Sequence, residues 1–261
     1  MKKKLLLLAT AVFCVAGIAT GCKSKETTNV LDKVKEAKVL KVGLESGFAP
    51  LEYKDENDKL VGFDVDLANA IGDKLGVKVE FVDTAFDTIT QSLKKNDFDI
   101  IIAGLNITEE RKKEIDFTEP YIMSGQSIIV QSSNKEITSE EGLKGKKVGV
   151  GKGTTSLEFA EGMSGLGEIV EYEDVPSELM DLKIGRIDAV IVDEVVGDFY
   201  VAKDKTAYKK VVALGKEPMG IAVDKGQTEL LDAVQKAYND LKTDGTLGEI
   251  SNKWFGMDIY K

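Results

Sequence analysis

The chain has 261 residues, 45 acidic against 35 basic, with a formal net charge of −10 and a pI near 4.8. That balance argues against nucleic acid or an anionic lipid surface as partner. With no His and only two Cys, Ser-His-Asp and Cys-His catalysis and Cys/His zinc sites are excluded, and nothing in the composition asks for a cofactor or metal.

At the N-terminus, Lys2, Lys3 and Lys4 precede an apolar run from Leu5 to Ile18 and the small residues Ala19, Thr20 and Gly21. This reads as a signal peptide, the apolar run being shorter than a spanning helix requires; an uncleaved membrane anchor is the alternative. Cys22 follows, and Ala-Thr-Gly-Cys resembles the lipobox of bacterial lipoproteins, in which that Cys becomes the lipidated first residue; an ordinary signal peptide with an incidental Cys is the bland reading. Two acyl chains on Cys22 give stable membrane anchoring at ~0.8 kcal/mol per buried methylene. Cys14 lies in the removed segment, so the mature chain has no disulfide. About 240 mature residues predict one large or two smaller self-sufficient cores.

Short apolar strands then alternate with amphipathic helices. Val39–Leu44 reads as a strand, 64–75 as a helix with Leu67, Ala68, Ile71 and Leu75 on one face, and 77–82 as the next strand. Polar residues between Tyr53 and Gly62 predict a hairpin. The alternation gives an α/β protein with largely parallel sheets. A gap-free near-repeat aligns Leu93–Ala103 with Leu182–Val192, and Lys41-Val-Gly-Leu44 echoes Lys147-Val-Gly-Val150. Two lobes of similar construction follow, with residues from Pro218 onward returning to the first.

Four places carry candidate chemistry. Ala103, Gly104 and Asn106 lie in a strand-to-helix turn that Thr108 is placed to cap, and open α/β sheets bind ligands at such carboxyl ends. Arg111, one turn into that helix, is either a bidentate clamp for a carboxylate or a surface residue paired with Glu110 or Glu114. Thr154 and Thr155 open a helix after Gly153 and suit either an anion or plain capping. Asp193, at the end of the strand 187–192, is either an acceptor for an ammonium group or an N-cap. Phe48 and Phe63 are core residues or a stacking pair for a ligand, and Glu45 is a carboxylate closing the first strand.

Together the segments Gly62–Ala68, Gly104–Arg111, Asp116–Tyr121, Lys152–Thr155 and Lys253–Gly256 resemble, in order and approximate spacing, the solute-binding family that serves polar amino acid ABC importers. The resemblance runs from Val39 to the C-terminus. It implies a two-lobed periplasmic-binding-protein fold (type II), each lobe a mostly parallel sheet flanked by helices, joined by crossover strands near Ser124–Gln131 and Met219–Val223. Residues 1–21 are then the signal peptide, 22–36 the lipidated Cys and tether, 37–125 with 222–261 one lobe, and 126–221 the other. The resemblance makes Arg111 the clamp on a ligand α-carboxylate, assisted by Thr154 and Thr155. It makes Asp193 the partner of the α-ammonium, with Ala103, Gly104 and Asn106 beside it, and Phe48 and Phe63 the pair flanking the side chain. Glu45 favours a cationic ligand, with cystine or glutamine still open. The implied partners are a free amino acid, an ABC permease and ATPase, and the outer face of the cytoplasmic membrane through Cys22, the protein itself being a monomer. A cyclohexadienyl-dehydratase-like enzyme on the same fold and a sensory ligand-binding protein are the rival readings.

Overall fold

A computed structural model describes residues 29–261; the expected signal peptide and Cys22 lie outside the described residues. Asn29 caps helix α1 (Val30–Ala37) by accepting the Leu31 N–H at 3.0 Å. Val30, Leu31 and Val34 form one apolar stripe buried in the first lobe's core. The expected tether therefore gives way from Val30 onward to a packed helix, because such a stripe is more stable against a core than in water.

Strand β1 (Val39–Leu44) leads into a small antiparallel sheet of β2 (Gly47–Phe48), β3 (Glu52–Lys54) and β4 (Leu60–Val61). Asp55 shapes the β3–β4 hairpin, its Oδ1 accepting the N–H groups of Asn57 and Lys59 at 2.8 and 3.0 Å. Helix α2 (Phe63–Leu75), β5 (Lys78–Asp83), α3 (Ile89–Lys94), β6 (Ile100–Ile101), α4 (Glu109–Glu114) and β7 (Ile115–Phe117) complete the first half. The long β8 (Ile122–Gln131) crosses to the second lobe, made of β9 (Lys147–Gly151), α5 (Thr155–Gly162), β10 (Glu168–Tyr172), α6 (Val175–Lys183), β11 (Ala189–Asp193) and α7 (Glu194–Lys203). Strand β12 (Tyr208–Met219) returns, followed by β13 (Ala222–Asp224), α8 (Thr228–Thr243) and α9 (Thr246–Phe255).

Two five-stranded sheets result, ordered β5-β1-β6-β13-β7 and β10-β9-β11-β8-β12. Each contains one strand antiparallel to the rest, β13 in the first and β8 in the second. Helices cover the sheets, and each lobe buries its own apolar clusters, with Leu67, Ile71 and Val234 in the first and Val148, Ala160 and Ile191 in the second. The lobes are joined where β8 and β12 pair along their whole lengths, from Ile122 opposite Met219 to Gln131 opposite Tyr208. The return crossing thus lies before Met219, not in 219–223. Gly220 and Ile221 break the strand, and β13 already belongs to the first sheet.

The repeat in the sequence has a structural cause. The Asp99 carboxylate accepts the Lys41 N–H at 2.8 Å, and the Asp188 carboxylate accepts the Lys147 N–H at the same distance. In each lobe an acid entering a central strand closes the hydrogen-bonding end of its neighbour. Gly43 and Gly149, at matching places in β1 and β9, leave room for Phe98 and Ile187: a Cβ on Gly43 would lie 2.4 Å from the Phe98 ring, and one on Gly149 2.6 Å from Ile187 Cδ1. The Phe98 ring is buried on all sides, whereas the tip of Ile187 can rotate. Chemical denaturation should therefore show Gly43→Ala losing about 1–3 kcal/mol through overpacking and Gly149→Ala losing less. Equal losses would contradict this account.

Candidate functional site

The carboxyl ends of β1, β6, β9 and β11 face one another across the junction of the lobes, as open α/β sheets favour for ligand sites. Between them lies a narrow cavity whose interior has room for only ≈ 30 Å³. The first lobe lines it with Glu45, Phe48, Phe86, Gly104 and Asn106; the second lines it with Thr154, Ser156, Asp174, Glu178 and Asp193, among others.

Arg111 stands beside this cavity. Thr108 caps α4, accepting the Arg111 N–H at 3.1 Å, and the guanidinium lies 5.5 Å over the Phe86 ring. Its Nη1 donates to the Asn106 carbonyl at 2.8 Å and its Nη2 donates across the junction to the Gly153 carbonyl at 3.0 Å. The surface alternative fails, because Glu110 pairs with Lys113 and Glu114 with Lys94. Gly153 has φ +72° and lies so close to Asp87 of the other lobe that a Cβ would fall 2.8 Å from the Asp87 Cα. Lys152 adds a second link, its Nζ 3.1 Å from Asp87.

Asp193 is 2% exposed and makes no side-chain cap for α7, which removes the bland reading of that residue. Its Oδ1 accepts from Asn106 Nδ2 at 3.4 Å and Gln126 Nε2 at 3.2 Å. Asn106 therefore touches both Arg111 and Asp193. Glu217, on β12, accepts from Asn106, Gln126 and Thr155 at 3.1, 2.9 and 2.8 Å. Burial, with Glu217 nearby, pushes the Asp193 carboxyl up to about 7, against the pull of Asn106, Arg111 and Gln126. Glu45 is pushed up to about 8 by burial and then by Asp174 and Asp83.

The remaining candidates divide. Phe48 lines the cavity, whereas Phe63 does not: it is fully buried, stacked on Phe255 at 4.9 Å and facing Tyr121 at 6.2 Å in the first lobe's core. Phe63 opens α2, whose inward face packs on α9, so the aromatic that accompanies Phe48 at the cavity is Phe86. Its signal was its place just beyond β5, another parallel strand's carboxyl end. The Ala103 side chain is likewise core, leaving only its backbone for a ligand. The Gly104 N–H is already given to Asp64 Oδ2 at 2.7 Å and the Tyr121 hydroxyl at 3.1 Å. Thr154 caps α5, accepting the Leu157 N–H at 3.3 Å and donating to the Gly151 carbonyl at 2.6 Å, while Thr155 turns to Glu217. Gln126, Glu217, Asp174 and Glu178 have no counterpart among the sequence-derived candidates.

The raised carboxyls set a pH dependence. Glu45, Asp193 and Asp64, the last pushed up to about 6 by burial, bind more protons in the folded than in the unfolded state between roughly pH 4 and 8. Stability falls with pH wherever the folded state holds the extra protons. The melting temperature of ligand-free protein should thus decrease from pH 5 to pH 8 in calorimetry; a flat or rising trend would contradict these environments.

Comparison with known proteins agrees with this architecture. Residues 40–257 match the family model described as bacterial extracellular solute-binding proteins, family 3. The L-cystine-binding protein of Escherichia coli (strain K12) is 37% identical, the match covering 99% of this chain and 97% of that one. A probable amino-acid ABC transporter-binding protein of Haemophilus influenzae is 34% identical over 99% of both. Among solved structures, an ancestral arginine-binding protein bound to arginine superposes with a TM-score of 0.79 and 45% identity, covering 84% of this chain and 98% of that chain. With both sheets and nearly the whole described chain inside the match, this protein belongs to the bacterial extracellular solute-binding proteins of family 3.

Proposed function

We propose that the chain is the extracytoplasmic binding component of an amino acid ABC importer, acting as a monomer and holding a free polar L-amino acid in the cavity between its lobes. The observation that carries this reading is Asn106, which bonds to Arg111 through its carbonyl and to Asp193 through its amide. A guanidinium and a buried carboxylate are thereby held around one space, and a zwitterion supplies the complementary charge to each: its carboxylate to Arg111, its ammonium to Asp193. Phe48 and Phe86 offer apolar faces for the side chain, and Glu45 favours a cationic one. The similar proteins carry binding and not enzymatic names, and this chain is a binding protein, not an enzyme.

Ligand enters with the lobes apart and favours their closure, because Arg111 and Asp193 come from different lobes and only the closed state pairs both. Export and a lipid on Cys22 complete the reading, placing the domain at the outer face of the cytoplasmic membrane, where a permease and ATPase receive the ligand.

A thermal-shift screen of the standard amino acids with ornithine and cystine should raise the melting temperature for a basic amino acid first, since a ligand of the native state alone stabilises it. In calorimetric titration, Arg111→Ala and Asp193→Ala should each lose roughly 3–5 kcal/mol of affinity, the cost of stranding one member of a buried charge pair. Affinity retained within about threefold, under 1 kcal/mol, would overturn the assignment.

A further inference from the structure

One wall of the cavity holds more carboxyl groups than the polypeptide neutralises. Glu178, on α6, lines the cavity at 0% exposure, and neither of its carboxyl oxygens accepts a hydrogen bond. Glu45 comes from the end of β1, with Asp83 of β5 behind it, and Asp174 from the start of α6. A Cβ on Gly47 would meet Glu45 Oε1 at 2.7 Å and Asp174 Cβ at 3.0 Å, so these acids crowd one spot from both lobes. Tyr172 of β10 and Tyr200 of α7 are near enough to feel these carboxyls; the Tyr172 hydroxyl is given to Asp181 at 3.0 Å. Among the described residues Lys152 is the only basic side chain lining the cavity, and it is turned to Asp87 and Glu173 at 3.1 and 3.3 Å.

A buried carboxylate without donors is costly, so the group keeps its proton until a cation arrives. A guanidinium suits this wall best. Its five N–H donors in a planar fork can serve the four oxygens of two carboxylates, where an ammonium has three donors, and its flat face suits Phe48 and Phe86.

Building on the amino-acid reading of this cavity, we infer that Glu178, together with Glu45, receives a guanidinium side-chain terminus, and that a proton held by this carboxyl pair leaves as the cation enters. The carboxyl O–H bond breaks heterolytically, its electron pair stays on oxygen, and the proton passes to the buffer. One positive charge enters and one leaves. Burial supports this picture, pushing Glu45 up to about 8 and Glu178 well above the usual carboxyl range. Below pH 8 the affinity for arginine therefore rises with pH, by up to about tenfold per unit for each proton released. Asp193 loses its own proton to the buffer when any α-ammonium binds, so the distinguishing quantity is the difference between arginine and its uncharged counterpart glutamine.

The test is calorimetric titration of the mature protein at pH 7 with L-arginine and with L-glutamine, in phosphate and in Tris, whose ionisation enthalpies differ. Arginine should release about one proton more than glutamine. Glu178→Gln should erase that difference and lower the arginine-to-glutamine affinity ratio by about tenfold or more. Equal proton release from both ligands in the wild-type protein would overturn the inference without recourse to any variant. So would a ratio unchanged within about twofold in Glu178→Gln, a shift too small for a lost charge-assisted bond. Glutamine or cystine binding without arginine would also overturn it while leaving the amino-acid reading intact. Absence of binding by every amino acid would overturn both.

Discussion

A charge buried without a partner is among the most costly arrangements a protein can hold, and this molecule places several around one space. Asp193 is almost wholly enclosed, Glu178 is completely so, and Arg111 spans the lobe junction with only carbonyl oxygens as acceptors. Asn106, Gln126, Thr155 and Ser156 supply neutral donors and acceptors, but among the described residues no basic side chain pairs with Asp193 or Glu178. The protein therefore approaches neutrality by retaining protons or by taking up a ligand of matching charge. On the proposed reading, binding, closure and proton linkage all follow from that single deficit.

The scaffold makes the deficit responsive to position. Both sheets present their parallel carboxyl ends to the same junction, and the two strands that connect them carry Gln126 and Glu217 into the polar network. A rotation of one lobe relative to the other must therefore break or reform bonds at the cavity. Gly153 and Asp87 approach so closely that any side chain on the glycine would hold the lobes apart. Arg111 donating to the Gly153 carbonyl makes the same contact attractive.

Much of this was legible in the sequence where the cause was local. Strand β1 ends where its apolar run ends, Thr108 and Thr154 cap the helices they precede, and Asp55 turns the hairpin. The near-repeat was visible because both lobes use one device, an acid that accepts its neighbouring strand's N–H. The aromatic pair was not, since Phe63 and Phe86 each lead into a helical turn and only tertiary packing sends one into the core and the other to the cavity. The α1 stripe went unread because three apolar positions are too few to distinguish a short helix from a tether. Glu178 did leave a trace: it shares the inward stripe of α6 with Val175, Leu179 and Leu182, where a carboxylate has no structural use. Gln126 is the long polar side chain buried between Ser124 and Ser127 in β8. Glu217 sits in a return strand whose register contains irregularities that sequence periodicity does not show.

Energy transfer between two dyes, one attached to each lobe through cysteines introduced on exposed helices, reports most directly on whether the zwitterion draws the lobes together. The sequence has only two cysteines, Cys14 and Cys22, both preceding the described residues, so no thiol among residues 29–261 competes. A basic amino acid should move the population to the short interlobe distance, and Asp193→Asn should leave the ligand-free distance unchanged while abolishing the shift. A distance distribution indifferent to every amino acid at saturating concentration would contradict the account.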